Sequence, residues 1–206
     1  MASMEISTSK KVETLEDKTE VEFLQHFFSQ EGVRAGVRWH TPQIYIDAVR
    51  EVMGDIDIDP CTDEIAQRRI KAKKFYTMET RGELHAWVGR MWLNPSYNAE
   101  MMLKFFKKGI QEYENGNVTE AIIHANTLDT QSDWFQALGE LSTAICIVRG
   151  RIKWVAAHKF VSDLLSKLGI IWNPTYTRHG SVFFYWGEQP SKFNTVFTRF
   201  GVCYRR

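Results

Sequence analysis

The sequence predicts an α/β fold in which a mostly parallel sheet carries antiparallel edge strands. Three observations predict it. Strand-like and helix-like stretches alternate from residue 41 to about residue 150, the order that strand–helix–strand crossovers impose. Strand-like stretches then recur toward the C-terminus, as antiparallel additions to such a sheet do. The 206 residues, 44% hydrophobic and 25% charged, fit one domain with a core of ordinary size.

Residues 1–19 are polar and low in aliphatics and read as a mobile arm, leaving 20–206 as a single domain. VEFLQHFFSQEG (21–32) places Val21, Leu24, Phe27 and Phe28 at helical spacing before a glycine. Thr41 is a good N-cap and Pro42 suits a first helical position, and Ile44, Ala48, Val49, Val52 and Met53 then recur on one face until Gly54. DIDIDP (55–60) alternates Asp with Ile, which predicts a strand with Asp59 at its carboxyl tip. IAQRRIKAKKFYT reads as a helix running into a short extended piece, with Asp63 or Glu64 either capping that helix or reaching a ribose hydroxyl.

The remaining strands are predicted at 90–94, 118–126, 142–150, 151–156, 180–187 and 195–204, and the remaining helices at 98–116, 132–141 and 158–169. The first of these helices starts at an asparagine, buries Met102, Phe105, Phe106 and Ile110, and stops at Asn-Gly. In parallel sheets of this type ligands bind beyond the carboxyl ends of the strands, where Asp59 and Asn94 would both lie.

Composition narrows the partners. A net charge of +1 gives no global field, so nucleic acid would be met by local patches. Cys61, Cys146 and Cys203 are odd in number and widely spaced, which predicts neither a disulfide framework nor a zinc knuckle and suits the cytoplasm. The histidines fall at no metal-ligand spacing with them, so no metal is expected, and His124 and Asn126 read as core or turn residues. No apolar run approaches the ~18 residues of a membrane span.

One stretch carries chemistry. In RMWLNPSYNAE an apolar run stops at Asn94-Pro95-Ser96-Tyr97. An exocyclic amino group is a poor nucleophile because its lone pair is delocalised. Two acceptors aimed at its hydrogens, the Asn94 side-chain oxygen and the Pro95 carbonyl, would favour a more tetrahedral nitrogen with its lone pair directed outward. Pro95 would stiffen the turn and Tyr97 would stack on the planar group. A second copy, Asn173-Pro174-Thr175-Tyr176, reads as a loop.

Around that tetrapeptide the chain, from about Trp39 to Gly201, resembles the N-6-adenine DNA methyltransferases of phage and prophage. Trp39, Thr41 and Pro42 match the family's opening, Asp59-Pro60 a strand end, and Ala66, Gln67, Tyr76, Gly82, Leu84 and Trp87 the segment before Met91-Trp92-Leu93-Asn94-Pro95-Ser96-Tyr97. Arg149-Gly150-Arg151-Ile152, residues 180–187 and residues 197–201 continue the match. Ser96 stands where the family has a second proline, which restores a backbone N–H and adds a hydroxyl.

The resemblance implies a Rossmann-like methyltransferase sheet and methyl transfer from S-adenosylmethionine to the amino group of adenine in DNA. It implies that Asn94, Pro95, Ser96 and Tyr97 hold the adenine, and that Trp39, His40, Thr41, Pro42, Asp59, Pro60 and Cys61 line the cofactor pocket. Basic residues at 67–74 and in LKFFKKG (103–109), which contains Lys104 and Lys107, would meet phosphates together with Arg149 and Arg151. The chain has little room for a target-recognition domain, so specificity would fall to short loops or to a homodimer. Two other readings fit the tetrapeptide: an acceptor such as cytosine or a protein glutamine, and a methyltransferase-like DNA-binding protein without turnover.

Overall fold

The computed structural model describes residues 39–95, 99–127, 130–156 and 179–206. The chain divides into two compact units, residues 1–40 with 155–175, and residues 41–154 with 176–206. In the first unit the described residues form one antiparallel pair, β1 (Trp39–His40) with β7 (Val155–Ala156), in which Trp39 lies opposite Ala156.

The second unit is built on a sheet of β2 (Ile58–Asp59), β3 (Lys74–Phe75), β4 (Gly89–Leu93), β5 (Val118–Asn126), β6 (Ala144–Val148), β8 (Ser181–Trp186) and β9 (Gly201–Arg205). Their spatial order is β3-β2-β4-β5-β8-β6-β9. The pairings from β3 to β5 are parallel, and those of β8 with β5, β8 with β6 and β9 with β6 are antiparallel. Five of the seven strands therefore share one direction, as a mostly parallel sheet requires. The antiparallel strands are not confined to the edge, however: β8 is inserted between β5 and β6. Its sequence SVFFYW is apolar on both faces and buried along its whole length, so it needs a covered, central position.

Helices α1 (Gln43–Met53), α2 (Glu64–Ile70), α3 (Ala99–Glu114), α4 (Asp133–Leu141) and α5 (Pro190–Phe197) connect and cover the strands. The alternation along β8 sorts the two faces. Phe184 and Trp186 pack with Met102, Phe105 and Phe106 of α3 and Leu138 of α4. Phe183 and Tyr185 face the other way, where Tyr45 of α1 lies 5.4 Å from Phe183, Phe197 of α5 5.2 Å from it, and Phe193 of α5 5.1 Å from Tyr185. Each fully buried aromatic or aliphatic side chain here contributes on the order of 1.5–3 kcal/mol.

Several expected elements change extent. Residues 195–197 close α5 instead of opening a strand, and β9 starts only at Gly201. The β-branched Thr195 and Val196 suggest a strand, but Pro190 starts a helix whose Phe193, Val196 and Phe197 are all buried, and that packing prevails over local propensity. The expected strand 55–60 is reduced to Ile58–Asp59, although the Asp57 backbone still bonds to Arg90 and Lys74 on either side, at 2.9 and 3.0 Å. Residues 151–154 lie outside the short strand at 155–156. On α1, Ile44 is exposed and Tyr45 and Ile46 join the buried stripe in its place. The arm, the helices expected at 21–32 and 158–169, and Asn173–Tyr176 lie outside the described residues.

Candidate active site

From β2 the chain crosses to β3 on one side, whereas β4 lies on the other side of β2. This reversal makes the gap between β2 and β4 a topological switch point, which opens a crevice at the carboxyl ends of those strands. Asp59 is the last residue of β2 and Asn94 follows the last residue of β4, so the two motifs flank that crevice.

Asn94 is held at both ends of its carboxamide. Its Nδ2 donates to Thr41 Oγ1 at 3.1 Å, and its Oδ1 lies 3.0 Å from His124 Nδ1. Thr41, expected to cap α1, does not do so: Pro42 occupies the cap position without a side-chain bond, and the first turn closes through Tyr45 N–H to the Pro42 carbonyl at 3.0 Å. The threonine hydroxyl serves Asn94 instead. Thr41 and His124 are buried, and Asn94 is half-buried with buried Pro95 after it.

His124, which reads from the sequence as a core or turn residue, lies near the end of β5. Its ring sits edge-on to Trp154 at 4.7 Å and tilted against Phe183 at 5.2 Å. Burial pushes its pKa down to about 3, so the imidazole is neutral. A carboxamide oxygen can only accept, so this pairing requires the tautomer with the ring proton on Nδ1. The signal available in the sequence was a histidine at the end of the strand after the one carrying Asn94.

The Asp59 loop is built differently. Asp59 Oδ1 accepts from the Cys61 N–H at 3.3 Å and Oδ2 from Gln67 Nε2 at 2.7 Å, while Gln67 Oε1 accepts from the Ala72 N–H at 2.9 Å. Asp63 caps α2 through the Ala66 N–H at 2.8 Å, the first of the two roles the sequence allows it. Asp59 is only 1% exposed; desolvation outweighs its hydrogen bonds and pushes its pKa up to about 7. Pro60 is clamped from outside, because a Cβ on Gly82 would come within 2.0 Å of the Pro60 carbonyl oxygen. Gln67, seen in the sequence as part of a basic run, is thus the brace of this loop.

Trp39 and His40 form β1 in the first unit, and Ser96 and Tyr97 lie outside the described residues. Arg149 and Arg151 follow β6 at its carboxyl end and are exposed. The Arg149 N–H donates to the Phe200 carbonyl at 2.8 Å, and its side chain lines a hollow of about 290 Å³ with Tyr45, Thr198, Arg199 and Phe200. Arg151 lies beside Gly180 and Thr127, next to the end of β5. On α3, Lys104 pairs with Glu100 at 2.7 Å and Lys107 is exposed. In the 67–74 run, Lys73 is taken by Asp57 at 2.9 Å. Among the described residues no three His, Cys, Asp or Glu side chains converge as metal ligands, and no helix is long and apolar enough to cross a membrane.

A family model for DNA N-6-adenine-methyltransferase (Dam) matches residues 29–182, most of the chain and both motifs of the crevice. The chain belongs to this family. The methyltransferase is therefore an enzyme of DNA adenine methylation, a reaction that draws its methyl group from S-adenosylmethionine. A comparison with curated proteins gives no match. The acceptor expected from the resemblance is the family's own, and neither the cytosine or glutamine reading nor the inactive-binder reading is better supported.

Proposed function

We propose that the methyltransferase carries out transfer at Asn94-Pro95-Ser96-Tyr97, with an adenine unstacked from DNA gripped by the Asn94 oxygen and the Pro95 carbonyl and stacked on Tyr97. The observation that supports this reading best is Asn94 itself: a half-buried amide just beyond β4, beside the switch point, held through both its nitrogen and its oxygen. Held in this way it loses no rotamer freedom when the base arrives. Its oxygen keeps a second lone pair for the amino hydrogens. Flipping a base costs a few kcal/mol, which stacking on Tyr97 would offset.

Bound S-adenosylmethionine supplies the electrophilic methyl group that the amino lone pair attacks. On the protein side, the Pro60-Cys61 turn and the Thr41-Pro42 turn are the residues that would hold it. The braced Asp59 loop suits this role, because its peptide groups are fixed from beneath by Asp59 and Gln67 and closed by Gly82. Asp59 would then shape the pocket through the Cys61 N–H, being itself almost fully buried. Arg149, Arg151, Lys104 and Lys107 would meet DNA phosphates, with binding that weakens steeply as salt rises. The reaction belongs in the compartment that holds both DNA and the cofactor, the cytoplasm of a bacterial or phage-infected host cell, and a homodimer would extend the contacts available for sequence recognition.

Asn94→Ala tests the reading. We expect kcat for plasmid methylation to fall about 100- to 1,000-fold while calorimetric affinity for S-adenosylmethionine is kept. Unchanged turnover would remove Asn94 from the mechanism. Mass analysis of nucleosides from the product should find N6-methyladenine.

A further inference from the structure

We infer that His124 is a positioning residue for methyl transfer: from the end of β5 it orients the Asn94 carboxamide, together with Thr41, so that the amide oxygen faces the base. The inference rests on the proposed role of Asn94. A carboxamide has two ends of nearly identical shape, and only one of them grips an amino group. Turned by half a rotation, Asn94 would present hydrogens to a group that itself donates hydrogens, and the grip would become a repulsion.

Thr41 cannot choose between the two orientations. Its hydroxyl accepts from Nδ2 at 3.1 Å in the structure, but a hydroxyl rotor could equally donate to an oxygen placed there. The choice falls to the neighbour on the other side. His124 Nδ1 is 3.0 Å from Oδ1, and a neutral imidazole with its proton on Nδ1 offers a donor there and nothing else. Trp154 and Phe183 pack against the ring with centroids 4.7 and 5.2 Å away, and a half-turn would set the Cδ2–H, not a nitrogen, opposite Oδ1. The ring is 1% exposed and carries no charge, so the proton on Nδ1 is not contested by water. One lone pair of Oδ1 is then occupied by His124, and the second is left for the base.

The test separates orientation from packing. His124→Phe keeps a planar ring against Trp154 and Phe183 but removes the donor. His124→Asn restores an N–H on the atom bonded to Cγ, where Nδ1 stood, whereas His124→Gln carries it one bond too far. Each variant is measured for kcat in methyl transfer from S-adenosylmethionine to plasmid DNA, for calorimetric affinity for that cofactor, and for Tm. We expect His124→Phe to lower kcat about 10- to 100-fold with cofactor affinity kept, His124→Asn to recover a large part of it, and His124→Gln to recover little. Wild-type kcat in folded His124→Phe, or a His124→Asn no faster than His124→Phe, overturns the inference. If His124→Phe does not fold, His124→Asn and His124→Gln carry the test between them: a faster His124→Asn is expected, and equal rates overturn the inference. Asn94→Ala, run in parallel, separates the two claims. An active Asn94→Ala sinks the proposed site, whereas an inactive one beside a fully active His124→Phe sinks only the role of His124.

Discussion

The ends of β2 and β4 face the same crevice, yet they are stabilised in opposite ways. At the end of β2, Asp59 bonds to residues two and eight positions away and Asp63 to one three positions away, so the loop is braced largely by its own sequence neighbourhood. At the end of β4, Asn94 bonds to partners 53 and 30 positions away, which only the assembled sheet brings together. The first arrangement gives a turn of fixed shape, suited to a cofactor common to every cycle. The second gives one side chain of fixed orientation, suited to a reacting group that must be aimed. The buried acid also costs more to maintain: among the described residues no cation pairs with Asp59, whereas Asp57, two residues earlier, sits against Arg90 and is held well below the usual carboxylate range.

Four substitutions would break or sharpen this contrast. The largest expected effect is that of Asn94→Ala, about 100-fold or more on kcat, beside a fall in stability of about 1–3 kcal/mol because the buried Thr41 hydroxyl and His124 N–H lose their partner; the same fall with intact turnover would reverse the comparison. Gly82→Val should act on the other end. Its Cβ would collide with the Pro60 carbonyl, so stability should drop by about 1–3 kcal/mol in urea unfolding, with weaker cofactor binding.

Asp59→Asn should change a pH profile. With a folded pKa of about 7 above an unfolded value near 4, the wild-type acid is protonated when folded and ionised when unfolded between those values. Its contribution to stability is therefore full below about pH 4 and is lost as pH rises to about 7, at a slope of at most about 1.4 kcal/mol per pH unit. The variant should lack that loss, and parallel urea-unfolding profiles for the two proteins would refute the shifted acid. The smallest effect is expected for Asp63→Ala, which removes the cap of α2 and should cost about 1 kcal/mol, or about 2–4 °C in Tm, without touching kcat.

Legibility in the sequence follows the same division. Helix α3, strand β5 and the stop at Gly54 were readable because period, caps and glycine act within a few residues. The end of α5 was not: Thr195 and Val196 favour a strand locally, and only the aromatic contacts of Phe193 and Phe197 with β8 outweigh them. Thr41 looked like a cap because nothing near it in the chain shows that its hydroxyl is claimed by Asn94.

By itself the sequence determined the fold class, the family, the tetrapeptide and the place of Asp59 at a strand tip, all of which depend on short-range spacing or on the order of motifs. Tertiary structure alone decided that β8 enters the middle of the sheet and that His124 and Thr41 meet Asn94. The physical reason is that hydrogen bonds and burial between distant segments are set by how strands stack in space, and a linear pattern carries no trace of which residue will lie across the gap.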